Sequence, residues 1–452
     1  MPRASVDPRF GRLMSQLRAS RGLSLRALAG LVYLSKSRLH EFEASSALPT
    51  VDQARQLDAI LDANGDLVDL LLVTQGGVVS TDALEFASTL PKAVEVAAGL
   101  WRGDLARQNP LRRAAFVATA FVAPAMRAML PADEHPTGQG DRPVEEPDVD
   151  TIRRMTATLR SLDNCYGGGQ VRETAVRFLA SDVAPLLRTG RYSEHVGRGL
   201  LSATAELTLM AGWATHDTGL HGLAQRYLIQ ALRLAMGAGD LPLGAEVLAA
   251  MSHQATYLGA ATEAVDLARA AGRIAADAGG GAIHAEALVL EAHGYAVAGE
   301  EQACAAALSR AEQTLDRADR GGDPQWIGYF DEAYLSARFG HCFVALSRGD
   351  LARRFAERSL HMDERYARGK QFNLALLARA HAQAGDVDKA SAVGIQAVEA
   401  AATLRSTRSA DYLRDLADRL APHCGLAVVR DFTDRAHHLL QPALGPGEQH
   451  GE

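Results

Sequence analysis

From residue 9 to residue 61 the apolar positions fall at spacings of three and four, broken by short polar turns, which predicts four short helices. Phe10, Leu13 and Leu17 give the first, over residues 9–20, a buried face. Ser24 is placed to cap a second helix through Leu25, Leu28, Ala29 and Val32, and Ser35 a third in which Leu39 and Phe42 face inward. Thr50 opens a fourth, carrying Ala54, Leu57, Ile60 and Leu61. On the third helix Lys36, Ser37, Arg38, His40 and Glu41 then point outward.

The long C-terminal part has a different pattern, a self-similarity at a spacing of 40. Small residues fall into register in three columns: Ala224, Ala264 and Cys304; Ala231, Ala271 and Ala311; Gly212, Ser252 and Ala292. Such columns suit stacked helix pairs, because paired helices approach too closely there for a large side chain. Gly219, Gly259 and Gly299 mark the loops within pairs. A fourth unit is expected through Gly349-Asp350 and a fifth through Gly385-Asp386, where Ala378, Ala390 and Ala397 restore the pattern. Residues 151–205 are expected to be helical as well and to add degenerate repeats.

Between the two patterns, Gln75-Gly76-Gly77 punctuates the chain, and residues 81–130 read as further helices containing Trp101 and the Arg112-Arg113 pair. Residues 131–150 hold four Pro, two Gly and many acids, with Val144 and Val149 as the only sizeable hydrophobes. That composition predicts a flexible linker or long loop.

Charge divides the chain in the same way. Residues 1–50 carry eight Lys or Arg against three Asp or Glu, a net +5, so with −7 for the whole chain residues 51–452 carry −12. A basic end of this kind attracts phosphate while the acidic remainder stays off the duplex. No apolar run follows Met1, and the stretch Ala114 to Met126 is too short to span a bilayer, so a cytoplasmic protein without membrane attachment is expected. Cys165, Cys304, Cys342 and Cys424 lie far apart with no CxxC pair, which speaks for a reducing compartment and against a zinc cluster or disulfide framework.

Residues 23–43 therefore read as a helix-turn-helix whose second helix presents its N-terminal side chains to the major groove of DNA. An arginine at the place of Arg38 can pair with guanine through two hydrogen bonds, worth roughly 1–3 kcal/mol of discrimination. Over residues 9–72 the chain resembles the Cro and phage-repressor type of helix-turn-helix domain, the XRE family, through Leu28-Ala29, Ser35, Leu39, Glu43 and Leu48-Pro49-Thr50. The resemblance implies base contacts from Lys36, Ser37 and Arg38, with His40 and Glu41 on the same face. Leu25 stands where many members have a polar residue near phosphate, which leaves phosphate contact to Arg21 and Arg26. The family usually has Gly where this chain has Tyr33 and Ser45; a Tyr in a left-handed turn costs about 1 kcal/mol, which implies a rebuilt turn.

The repeat register assigns other side chains to the hollow of the solenoid. One column is Glu206, Glu246 and Glu286; another is Trp213, His253, His293, Phe343 and Arg379; a third is His216 and Thr256, with Asp217 and Tyr257 beside them. A channel lined in this way suits a cationic or mixed-polarity small molecule or a peptide, while the plainer alternative pairs the glutamates with arginines of neighbouring helices. Gly167-Gly168-Gly169 follows no strand and precedes no Lys-Ser or Lys-Thr, so it reads as a loop and not a nucleotide site. His216-Asp217 with His221 has no further ligands to make a metal site, and His437-His438 reads as a solvated helix end.

The helix pairs resemble tetratricopeptide repeats with a longer period. The whole arrangement is similar to actinobacterial XRE regulators, including the segment at residues 212–235, and more distantly to quorum-sensing regulators that bind peptides in a repeat hollow. Those sensors hold peptides with concave-face asparagines, which the columns here lack.

The expected molecule is all-α, with a helix-turn-helix domain at 1–75, a helical connecting region at 76–130, a flexible linker at 131–150, a tetratricopeptide-like α-solenoid at 151–440 and a disordered tail at 441–452. The expected function is sequence-specific transcription regulation by a homodimer on a double-stranded operator, with a small-molecule or peptide effector, no catalysis and no cofactor. A protein-interaction scaffold with weak or no DNA binding is the alternative.

Overall fold

The computed structural model describes residues 8–32, 34–44, 46–47, 49–61, 63, 67, 83–106, 109–130 and 134–440. Tyr33, Ser45, the 75/76 junction and the 441–452 tail lie outside them.

The first helices are α1 (Pro8–Ser20), α2 (Leu25–Leu31), α3 (Lys36–Glu43) and α4 (Val51–Leu61). Their apolar faces meet in one small core built on Phe10, Met14, Leu28, Val32, Leu39, Phe42, Leu57 and Leu61. Leu13 and Leu17 only flank this core, and Met14 takes the central place on α1.

Further along come α5 (Leu90–Leu105) and α6 (Val122–Ala128), followed by a run of helices that forms an α-solenoid: α7 (Glu146–Tyr166), α8 (Gly168–Phe178), α9 (Ala184–Thr189), α10 (Glu194–Asp217) and α11 (His221–Ala238). The run continues with α12 (Leu241–Tyr257), α13 (Ala261–Asp277), α14 (Gly281–Ala298), α15 (Glu301–Asp316), α16 (Glu332–Ala345) and α17 (Gly349–Ser359). Helices α18 (Ala367–Gln383), α19 (Val387–Ala401), α20 (Thr407–Leu420) and α21 (Ala427–Leu440) complete it.

All nine residues of the three small columns are fully buried where helices pack together. Gly219, Gly259 and Gly299 each have φ of 79°, a left-handed conformation that reverses the chain without a Cβ clash. In the fourth unit that conformation belongs to Ser347, with φ of 57°, and Gly349 instead sits against the backbone of Ala384.

Two connecting segments differ from expectation. Residues 131–150 do not form a flexible linker in their described part. Short strands β1 (Gly138–Gln139) and β2 (Arg142–Pro143) flank β3 (Gly190–Tyr192), antiparallel and parallel respectively, and a capping box between Glu145 and Asp148 starts α7. Polar and Gly-rich residues here serve backbone pairing and capping; a Cβ on Gly140 would lie 1.9 Å from the Thr189 carbonyl oxygen. Nor is the stretch from residue 83 to 121 a simple connector. Gln225 clasps the Val117 backbone at both its N–H and C=O, Gln230 donates to the carbonyls of Ala83 and Glu85, and Arg233 to that of Ala87. Asp104 of α5, 1% exposed, accepts from Arg172 of α8 and from the Tyr227 hydroxyl of α11 at 2.8 Å.

The start of the solenoid also meets its end. Arg405 N–H donates to Tyr166 C=O at 2.8 Å, Gly169 N–H donates to Arg405 C=O at 2.9 Å, and Arg368 pairs with Asp163 at 2.7 Å. The glycine run lies at this meeting: a Cβ on Gly169 would stand 2.8 Å from the Arg405 carbonyl oxygen.

Candidate functional site

The N-terminal helices are aimed by their caps. The Ser24 hydroxyl accepts from Ala27 N–H and the Ser35 hydroxyl from Arg38 N–H, each at 3.1 Å, so α2 and α3 start at fixed residues. Thr50 and Gln53 form a reciprocal pair across the first turn of α4, at 2.9 and 3.2 Å. Arg18 of α1 grips Glu43 of α3 through two hydrogen bonds, at 2.6 and 3.1 Å, and also donates to Leu23 C=O. This brace was not foreseen from the sequence, although Glu43 at the end of α3 with an arginine on α1 was its visible trace.

With Leu39 and Phe42 buried beneath it, α3 exposes Lys36, Ser37, Arg38 and His40, and half-buries Glu41. Arg38 lies 2.8 Å from Glu41 and 5.0 Å from the Phe42 ring centroid, so its guanidinium is held against the helix it belongs to. Arg26 is exposed on α2. Arg21 is exposed but donates to Ile60 C=O at 2.9 Å, which ties the end of α1 to the last turn of α4.

Residues 9–71 match the family described as helix-turn-helix domain. No curated protein matches the chain. The helix-turn-helix domain makes the protein a DNA-binding regulator, and among the described residues no helix is long and apolar enough to cross a membrane.

The solenoid holds the second site, a cavity of about 290 Å³. Of the eleven groove candidates, Glu206, Trp213, Glu246 and His253 line it, whereas Glu286, His216, Asp217, Tyr257, His293, Phe343 and Arg379 do not. Each of the latter has a structural neighbour. Asp217, fully buried, accepts from Gly168 N–H and the Ser406 hydroxyl, both at 2.9 Å, and faces Arg368 at 3.6 Å. The His216 and His221 rings meet Nδ1 to Nδ1 at 2.9 Å. The Tyr257 hydroxyl donates to Asp411, Phe343 stacks on Phe355 at 5.4 Å, Arg379 faces Asp415 at 3.3 Å, and His293 lies beside His341.

Burial governs the charge states. Desolvation, with the guanidiniums of Arg338 and Arg408 nearby, pushes the His253 pKa well below the ordinary imidazole range; burial likewise depresses His216 and His341, and lowers His293 to about 3. Glu206 pairs with Arg160 at 2.8 Å. Tyr329 reaches both Glu246 and Glu286, at 3.0 and 2.8 Å, and burial beside the Glu286 carboxylate raises Glu246 well above the carboxylate range. The buried Glu246 Oε2 has no hydrogen-bond partner among the described residues.

The cavity owes as much to residues outside the repeat register. Arg160 comes from α7, Trp326 and Tyr329 from the irregular stretch before α16, Tyr334 and Arg338 from α16, and Arg408 from α20. The aromatic break in the period of 40, residues 319–331, was the signal available in the sequence.

Proposed function

We propose that the protein is a sequence-specific transcription regulator of the XRE type, with tetratricopeptide-like repeats resembling those of actinobacterial regulators, acting in the cytoplasm as a homodimer and without catalysis. The observation that carries this reading is the exposed first turn of α3, where Lys36, Ser37 and Arg38 stand clear of a packed core. Lys36, Ser37 and Arg38 contact bases, and His40 and Glu41 border them. Arg38 exchanges Glu41 for a guanine at little cost, since an exposed ion pair is worth about 0–1 kcal/mol. Arg26 serves the phosphates; Arg21 does so only by sharing its guanidinium with Ile60 C=O.

One head covers one half-site, so two copies read a near-palindromic operator with half-sites one helical turn apart. The exposed face formed by Val122, Met126, Met129 and Leu130, at helical spacing on and just after α6, suits contact with a second copy. Occupation of the solenoid cavity by an effector shifts the spacing of the two heads, provided that the effector binds the two states with different affinity.

Footprinting on fragments selected from genomic DNA at rising salt tests the reading. A protected site that persists in the wild type and is lost or altered in sequence with Arg38→Ala supports it; no protection at any salt replaces it with the scaffold reading.

A further inference from the structure

The cavity is lined by aromatic rings and by four guanidiniums, two of which have incomplete sets of partners. Trp213, Trp326, Tyr329, Tyr334, Tyr366 and Phe372 supply the rings. Of the four arginines on its wall, Arg160 pairs with Glu206 and Arg368 with Asp163. Arg338, 6% exposed, instead donates to His253 and to the Tyr334 hydroxyl, and has no ion-pair partner among the described residues. Arg408, 5% exposed, reaches Asp217 only at 3.9 Å, lies over the rings of Phe372 and Tyr257, and leaves its buried Nε without any hydrogen-bond partner. A buried guanidinium N–H left unmade is costly, which makes it a place where an acceptor is gained at advantage.

The acidic side chains on the wall are engaged by other neighbours: Asp163 by Arg368, Glu206 by Arg160 and Asp331 by Tyr334 N–H. Glu246 and Glu286 share the Tyr329 hydroxyl, and burial raises both carboxyls above their ordinary range. Burial and the nearby guanidiniums hold the pKa values of His253 and His216 well below the ordinary imidazole range. The column of glutamates that suggested a cationic ligand is turned to internal pairing, Glu206 with Arg160 and Glu246 and Glu286 with Tyr329. Its volume, about 290 Å³, lies at the lower end of small-molecule sites, which run from roughly 300 to 1,000 Å³.

We propose that this cavity binds a small aromatic organic acid, with its anionic oxygen on Arg338 and Arg408 and its ring body among Trp213, Trp326 and Phe372. A hydroxyl or carbonyl on the far edge of the ring meets the Glu246 and Tyr329 oxygens. The proposal rests on the regulator reading above, in which the occupant is the effector, and it names the chemistry of that occupant.

The test compares two probes with the same rings on the full chain: 1-anilinonaphthalene-8-sulfonate, an anion, and N-phenyl-1-naphthylamine, which lacks the sulfonate. Energy transfer from Trp213 and Trp326 reports occupancy. One equivalent of the anion is expected to bind at least about tenfold more tightly than the neutral amine, with Arg408→Leu bringing the ratio near one. Trp326→Glu, on a half-buried side chain at the edge of the core, is expected to weaken the anion at least about tenfold if Arg408→Leu does not fold. Equal affinity of the two probes, several equivalents of either, or unchanged anion binding in Trp326→Glu overturns the proposal. Footprinting on the same preparation separates the two readings: a protein that protects no DNA still shows the probe ratio if the cavity assignment holds, and a protein that protects DNA but shows no ratio refutes the cavity assignment alone.

Discussion

The head and the solenoid treat their polar side chains in opposite ways. On α3 of the head, Lys36, Ser37, Arg38 and His40 are exposed, and the fold beneath depends on none of them. In the solenoid, polar side chains are turned inward and the fold is sewn together through them: Asp217 joins α10 to α8 and α20, Asp104 joins α5 to α8 and α11, and Gln225 and Arg233 hold the segment before the repeats. A polar residue on the head can be spent on a partner without loss of structure, whereas most of those in the solenoid cannot. Closure of the solenoid leaves some buried polar groups incomplete among the described residues, Arg408 at its Nε and Arg338 without an ion-pair partner among them.

The largest test of this contrast is Asp217→Ala. It strips a fully buried site of its carboxylate, leaves Gly168 N–H and the Ser406 hydroxyl without their acceptor, and leaves Arg368 with Asp163 alone. Breaking such a network from one side costs about 3–5 kcal/mol, read as a lower urea midpoint of the solenoid transition. A variant of wild-type stability would remove Asp217 from the groups that hold the fold together.

Next in size is acid sensitivity. His293 has its pKa lowered to about 3 from 6.5, by burial first and then by Arg338 and Arg379. The unfolded chain takes up that proton first, so stability is intact above about pH 6.5 and is lost as pH falls toward 3, by about 1.4 kcal/mol per pH unit for each such histidine. Glu246, raised by burial, acts with the opposite sign: its contribution is present at low pH and is lost as pH rises above the ordinary carboxyl value of 4.5. Urea titrations from about pH 7 to about pH 5 should show the acid loss, with a shallower slope in His293→Leu. An identical slope in the two proteins would remove His293 from the account.

These effects also explain what could be read in advance. The four head helices were legible because each is set by residues within one turn: Ser24 and Ser35 cap, and Leu28, Leu39 and Phe42 mark the buried face. The repeat stack was legible because its columns recur at a fixed period, down to the left-handed glycines. The cavity was not, because it depends on closure between residues about 200 apart, such as Asp163 and Arg368, and on an irregular aromatic stretch that belongs to no repeat. The register named Glu206, Trp213, Glu246 and His253, which line the cavity, yet it could not say that Arg408 of α20 would line it with them. The same limit hid the strand pairing of residues 138–143, whose partner β3 lies some fifty residues further on.

On the head, Arg38→Ala should lower operator affinity by the equivalent of about 1–3 kcal/mol and relax base preference at one position of each half-site. Its urea midpoint should stay at the wild-type value, because Arg38 contributes only an exposed pair with Glu41 and a contact with Phe42. An arginine that proves essential for folding, or one whose loss weakens all sequences alike, would place it among the phosphate contacts.

The smallest effect bears on whether head and solenoid are energetically separate. Their apolar clusters do not merge among the described residues: Phe10, Leu28, Leu39 and Phe42 belong to one, and Trp101, Tyr227 and the repeat alanines to another. Ser35→Ala removes the hydroxyl that accepts from Arg38 N–H and should cost the head about 1 kcal/mol. In a domain of this size that amounts to a fall of about 4–8 °C in the head's own unfolding midpoint by calorimetry, with the solenoid transition unmoved. Because the cap also fixes where α3 starts, operator affinity should fall as well, by less than in Arg38→Ala. If both transitions shift together, the two regions fold as one cooperative unit, and the freedom of the head's polar residues would owe more to the solenoid than their exposure suggests.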